Sequence, residues 1–233
     1  MAIIDRIEKH QGKFNSDRIR ALIYGESGAG KTVFASTFPS PILFLDADDG
    51  MASVRTEVDR VFIDSWETLV DVTNDLMNEE HGYKTIVVDS LNEIQTLAMS
   101  YVLENFPAIK RSYDSLPAVA DYGKMLRDFD LWVRAMKSLP THVVLLCQAQ
   151  ARNFETDVVQ PQLTGKNSSS NVCRMMDVIG YIYSGEGGES QAKRFVSFGM
   201  TNYVGKDRSG KLPSVYEIQN RDKAFKELQA FWK

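Results

Sequence analysis

Gly25-Glu26-Ser27-Gly28-Ala29-Gly30-Lys31-Thr32 is a complete G-x-x-x-x-G-K-[ST] phosphate-binding loop. Its glycines let the backbone curl so that successive N–H groups point inward at the α- and β-phosphates. Lys31 can reach β- and γ-phosphate oxygens, and the Thr32 hydroxyl is placed to ligate Mg²⁺. The flanks agree with the motif. Ile19-Arg20-Ala21-Leu22-Ile23-Tyr24 reads as a buried strand entering the loop. Lys31 to Thr37 reads as the start of a helix whose positive dipole end meets the phosphates.

Further along, apolar strands alternate with amphipathic helices. Pro41 to Asp46, Arg60 to Ile63, Lys84 to Asp89 and His142 to Gln148 are the strand candidates. Asp64-Ser65-Trp66-Glu67 has the acid-x-x-Glu spacing of a capping box, with Trp66, Leu69, Val70, Leu76 and Met77 as the apolar stripe behind it and Gly82 as the stop. Tyr122, Met125, Leu126, Phe129, Trp132, Val133 and Met136 mark a second long helix, ended by Pro140. This alternation predicts an α/β fold with a mostly parallel sheet covered on both faces. Val178 to Tyr183, Arg194 to Phe198 and Ser214 to Ile218 are strand-like with few helices between, which adds edge strands, some antiparallel, before a closing helix from Arg221 to Phe231. Two stretches read as irregular: Phe106 to Ala120, with Pro107, Lys110, Arg111, Tyr113 and Pro117, and the polar run Ala149 to Asn171.

The 233 residues suit one domain spanning 1–233, and 43% hydrophobic with 25% charged residues is ordinary for a soluble globular chain. A net charge of −4 argues against a strongly basic nucleic-acid binder. Cys147 and Cys173 lack metal-ligand spacing and read as free thiols; His10, His81 and His142 are scattered, which excludes a zinc site or a Ser/His/Asp triad as a reading. Neither a signal peptide nor an apolar span is visible, so a cytoplasmic protein without membrane contact is expected.

A phosphate loop needs an acid for the Mg²⁺ shell, a group to orient water and positive charge on the transferred phosphoryl group. Asp89, delivered by the apolar run Ile86-Val87-Val88, fits the first role. Asp48 in Asp46-Ala47-Asp48-Asp49-Gly50 is chosen for the second, with Asp46 and Asp49 as alternatives. Carboxylates so close together repel one another unless Mg²⁺ or a base is near. Gln148, ending the next core strand, can touch the γ-phosphate or its water. Lys206 and Arg208 in the short turn Lys206-Asp207-Arg208, and Lys166 in the long polar loop, are the candidate cations.

Together these residues resemble a RecA-type ATPase core. Ile86-Val87-Val88-Asp89-Ser90 is similar to that superfamily's second phosphate-site strand, Leu45-Asp46-Ala47-Asp48 to the strand end with its catalytic acid, and Leu145-Leu146-Cys147-Gln148 to the strand with its signalling Gln. From Arg20 to about Pro213 the chain further resembles the RecA-like ATPases of bacteriophages that include single-strand annealing proteins, through Pro161-Gln162-Leu163-Thr164-Gly165-Lys166, Asp177-Val178 and Lys206-Asp207-Arg208. The resemblance implies a three-layer RecA-like fold, ATP and Mg²⁺ as cofactors, and action on single-stranded DNA in phage recombination or annealing. It implies a homo-oligomer in which Lys206 and Arg208 reach a neighbour's nucleotide, a bacterial host cytoplasm, and a viral single-strand-binding protein as a further partner. Arg152, Asn153, Phe154, Lys166 and Asn167 are then candidates for phosphate contact and base stacking. The superfamily's acid is commonly Glu, so Asp48 implies slow hydrolysis. The competing reading is a nucleotide-gated binding or assembly factor with little hydrolysis and no direct DNA contact. A nucleotide kinase would need an arginine-rich lid, and no such cluster is present in the sequence.

Overall fold

The computed structural model describes residues 13–106, 116–150, 158–185, 193–199 and 202–232. Alternation along the inner strands builds two cores. In β1 (Arg20–Gly25), Leu22 and Tyr24 point to one face, Ala21 and Ile23 to the other. The same split divides β2 (Ile42–Asp46), β4 (Thr85–Asp89) and β5 (His142–Gln150). Strands buried on both faces have no polar side to spare, which is why they read as continuous apolar runs.

On the larger face lie α2 (Trp66–Asn78), α3 (Leu91–Asn105), α4 (Val119–Ser138) and α5 (Ser168–Met175). On the other lie α1 (Lys31–Ala35) and α6 (Ala224–Gln229), followed by a 3₁₀ turn at Ala230–Trp232. The remaining strands are β3 (Asp59–Phe62), β6 (Gln160–Pro161), β7 (Val178–Gly185), β8 (Lys193–Ser197), β9 (Lys206–Asp207) and β10 (Val215–Glu217). Among the described residues the strand order is β10-β8-β7-β1-β5-β4-β2-β3, with β6 beside β5 and β9 beside β7. The run from β7 to β3 is parallel, and β8 and β9 pair antiparallel with β7. The expected three-layer α/β architecture with added C-terminal edge strands is present.

Several local expectations need correction. Ser65, not the acid before it, caps α2: its Oγ accepts from Thr68 N–H at 3.0 Å, while Asp64 accepts from the Thr68 hydroxyl at 2.9 Å. Met77 and Tyr122, read as core, are exposed at 49% and 40%. The stretch after Asp89 is the full helix α3. Much of the supposed polar loop is ordered too. β5 runs on to Gln150, β6 folds back on it, and α5 follows from Ser168. Thr164 exchanges hydrogen bonds with the Gln95 side chain of α3, at 2.7 and 3.2 Å. Lys206-Asp207, expected in a turn, pairs with β7 as β9. Arg152, Asn153 and Phe154, with Pro107, Lys110, Arg111, Tyr113 and His10, lie outside the described residues. Among the described residues no helix is long and apolar enough to cross a membrane.

One buried histidine carries a pH prediction. His142 opens β5 at 5% exposure, its Nδ1 accepting from Ile19 N–H at 3.3 Å, with Phe38 and Phe225 edge-on to the ring. Burial, assisted by the Arg20 charge and opposed by Asp17, lowers its pKa to about 4 from 6.5. A depressed pKa means that the unfolded chain binds the proton first, so stability is fully present above about 6.5 and falls as pH drops toward 4. The size is about 2 kcal/mol between pH 7 and 4.5. His142→Asn, which keeps an acceptor for Ile19, is expected to flatten this part of the slope in urea unfolding. An unchanged slope in the variant would show that other groups carry it.

Candidate functional site

In a parallel sheet the carboxyl ends of all strands emerge on one side, and ligands bind where connections leave to opposite faces. Here that point is the end of β1. The helix after β1 goes to one face, whereas α2, α3 and α4 cover the other. The register sets Gly25 opposite Gln148 and Asp46 opposite Asp89, so the predicted residues gather at one edge. Between β1 and β4 lies β5, which brings Gln148 into the gap.

The loop is shaped by contacts on both sides. A Cβ on Gly25 would stand 2.3 Å from the Ile182 carbonyl oxygen, so β1 approaches β7 there only as glycine. Gly30, the residue before α1, adopts φ +100°, a conformation that glycine reaches without steric cost. Lys31, 7% exposed, folds back across the cradle: its Nζ donates to Gly25 O and Glu26 O, each at 3.0 Å, and to Gln148 Oε1 at 3.2 Å. Burial lowers its pKa, and the nearby Asp89 and Asp48 charges oppose that. Glu26, Ser27 and Gly28 are exposed at the crest of the loop, while Ala29 is buried beneath it.

Opposite the loop stand the acids. Thr32 Oγ1 donates to Asp89 Oδ2 at 2.6 Å, joining the two predicted Mg²⁺ ligands. Asp89 is 3% exposed, and burial raises its pKa to about 6 against the Thr32 hydrogen bond, with Asp48 and Asp46 adding to the rise. Ser90 Oγ donates to Asp48 Oδ1 at 3.0 Å, holding that carboxylate on the cleft wall. The three neighbouring acids separate here. Asp46 is fully buried and pairs with Arg60 Nε at 2.8 Å, and Asp49 pairs with the same guanidinium. Only Asp48 of the three lines the cleft. Arg60 is thus the base that the clustered charges required.

The resulting cleft encloses about 340 Å³ between Gly28, Lys31 and Thr32 on one side and Asp48, Asp89 and Gln148 on the other. Its donor set fits a magnesium nucleotide. One carboxylate beside one hydroxyl is too little for an all-protein cage, and among the described residues no group of three His, Cys, Asp or Glu is arranged for a metal. Mg²⁺ is characteristically held by one or two carboxylates together with substrate phosphates.

Lys206 and Arg208 are elsewhere. β9 pairs at the start of β7, the sheet end opposite the loop. Lys206 Nζ donates to the carbonyls of Cys173, Arg174 and Met176 at the end of α5, at 3.1, 3.2 and 2.6 Å, and Arg208 pairs with Asp177 at 2.8 Å. Lys166 is exposed on the turn before α5 and does not line the cleft.

Four residues at or behind this site have no role in the sequence reading. Arg194 and Arg221 line the cleft. Ser90 holds Asp48. Asn92 accepts from Gln148 N–H at 2.8 Å and donates to Gln162 O at 2.6 Å, tying the end of β5 to the segment after β6. The Ser-x-Asn that follows Asp89 was a local signal for the latter two; nothing local marks the arginines.

This sheet, loop and acid constellation is that of a P-loop protein that binds nucleotide. Residues 17–209 match the family model described as AAA domain, and the chain belongs to that family. Among solved structures it is similar to the flagellar accessory protein FlaH from Methanocaldococcus jannaschii, at 8% identity over 88% of this chain and 87% of that one, with a TM-score of 0.46. A KaiC-like protein from Pyrococcus horikoshii OT3 gives 12% identity, the same coverages and a TM-score of 0.47. A DnaB-like replicative helicase gives 13% identity over 88% of this chain and 61% of that one, with a TM-score of 0.43. No match was found among curated proteins.

Proposed function

We propose that the protein binds and hydrolyses ATP with Mg²⁺, and that it assembles on single-stranded DNA in phage recombination or annealing. The observation that carries the ATPase reading is the convergence of Lys31, Thr32, Asp89, Asp48 and Gln148 on one cleft. Lys31 exchanges its two backbone carbonyls for phosphate oxygens, and the loop's N–H groups take the remaining charge. Thr32 and Asp89 hold Mg²⁺, which supplies charge neutralisation across the phosphates when bound. Asp48, steadied by Ser90, orients the attacking water and accepts its proton. Gln148, already on Lys31, registers what occupies the γ-phosphate position, and Asn92 links it to the segment after β6.

The DNA reading rests on the resemblance of Pro161 to Lys166 and of the Lys206-Asp207-Arg208 segment. Lys206 and Arg208 lie at the sheet end away from their own chain's phosphate loop, so a nucleotide they reach is a neighbour's. We assign them as trans-acting cations in a homo-oligomer, worth about 10³ or more in rate. A bacterial host cytoplasm and a viral single-strand-binding protein complete the proposed setting. One observation favours the alternative of a nucleotide-gated assembly factor: the acid at this position is the shorter Asp48, where the superfamily commonly has Glu.

The test is ATP turnover with Mg²⁺, with and without single-stranded DNA, on wild type beside Lys31→Ala. Turnover that rises with DNA and disappears in the variant is expected. Mixing Lys31→Ala with Lys206→Ala/Arg208→Ala should restore part of the activity, because each copy supplies what the other lacks. Tight ATP binding with neither turnover nor a response to DNA would replace this reading with the assembly factor.

A further inference from the structure

Arg194 is the second residue of β8, and its side chain crosses to the phosphate loop. An ideal Cβ on Gly30 would lie 3.1 Å from Arg194 Nε and 3.3 Å from its Cδ, so the arginine rests directly on the loop's last glycine. Its Nε is buried without a hydrogen-bond partner, and no carboxylate pairs with it among the described residues. The adjacent Lys193, by contrast, has Glu217 at 2.8 Å. A buried guanidinium N–H with no acceptor is costly, and such groups are normally satisfied by a ligand or partner. The same side chain lines the cleft with Lys31 and Thr32, where an anion would supply the missing acceptor.

The sheet order says which part of that anion it meets. β4 and β2, which carry Asp89 and Asp48, lie to one side of β1; β8 lies to the other, beyond β7. Arg194 and Arg221 also line a small recess with Val33 and Phe34, on the flank of α1 away from the carboxylates. The carboxylates mark the metal and γ-phosphate end, so the arginines stand at the α- and β-phosphate end.

We infer that Arg194 binds the α- and β-phosphates of the nucleotide held by its own chain, with Arg221 at the rim of the same recess. This rests on the nucleotide reading above and differs from the trans role given to Lys206 and Arg208. Because ATP and ADP share those phosphates, Arg194 sets affinity for both.

The experiment is calorimetric titration of ATP and ADP, each with Mg²⁺, into wild type, Arg194→Ala and Arg194→Lys, with kcat at saturating ATP. Losing a charge-assisted hydrogen bond should weaken ATP and ADP alike, by about ten- to hundredfold. The ATP/ADP affinity ratio should stay within about threefold of wild type. Arg194→Lys should recover part of the affinity, and Arg194→Gln replaces the alanine variant should that one fail to fold. Unchanged affinity for both nucleotides would overturn the inference, as would a loss confined to ATP or to kcat, which would place the guanidinium at the γ-phosphate. Wild type binding neither nucleotide would instead bring down the underlying nucleotide reading.

Discussion

Asp89→Asn is expected to make the nucleotide-free protein more stable at neutral pH while removing the magnesium-dependent turnover proposed for it. The two effects have one cause. Asp89 is 3% exposed, and its pKa stands at about 6 because burial penalises the charged form. A raised carboxyl pKa means that the folded chain holds its proton longer than the unfolded one. The favourable contribution is present below about 4 and is lost as pH rises through 6. Above that, the ionised carboxylate costs about 3 kcal/mol. Asparagine removes the charge and still accepts from Thr32, so a gain of about 1–2 kcal/mol at pH 7.5 is expected, or about 2–8 °C in melting temperature. Turnover should fall by at least about a hundredfold, since metal stabilisation of transferred charge contributes several kcal/mol. Thermal melts with and without Mg²⁺-ATP check both halves. A variant that melts below wild type without ligand, or that keeps the full Mg²⁺-ATP shift, would refute this account of Asp89.

The second large effect lies at the other end of the sheet, where Arg20 opens β1. Arg20 is 4% exposed, and its guanidinium is held by carbonyls alone: Nε and Nη2 donate to Lys137 O at 2.9 and 2.7 Å, Nη2 also to Leu139 O at 2.7 Å, and Nη1 to Arg18 O at 2.8 Å. Lys137 and Leu139 stand at the end of α4, where the helix dipole is negative and final carbonyls lack intrahelical partners. Burial, the nearby Arg18 charge and, in opposition, Asp177 leave the pKa at about 10, so the group is charged at neutral pH. Arg20→Met fills similar space but strands those carbonyls, at a cost of about 3–5 kcal/mol. Arg20→Lys keeps the charge with fewer, differently directed donors and should lose about half as much. Urea unfolding measures both. A loss below about 1 kcal/mol in Arg20→Met would show that water replaces the guanidinium there.

The parts of this site that were legible in sequence are those where one segment carries both the structural and the chemical signal. Ile86-Val87-Val88 can only be a buried strand, and the acid that ends it must emerge at the sheet edge; the same logic places Gln148 after Leu145-Leu146. Helix α3 escaped because its buried face includes Gln95 and Ala98 beside Leu91, Ile94 and Val102, which blurs the apolar stripe. In sequence Asp48 is the choice, with Asp46 and Asp49 left open; what separates the three is Arg60, whose pairing with two of them depends on the parallel register of β2 and β3. Arg194 was invisible for a related reason. Its nearest functional neighbour is Gly30, and only the packing of β8 beyond β7 brings them together.

The helix that begins at Lys31 is only five residues long, and its underside is finished by α6. Phe225 stacks on Phe38 with ring centroids 3.9 Å apart, and its N–H donates to Thr37 Oγ1 at 3.0 Å. In the order of synthesis the glycine-rich motif is therefore made long before residues 224–228, whose Phe225 packs against Phe38. The readiness of the phosphate loop is thereby tied to a segment that lies far from the motif in sequence.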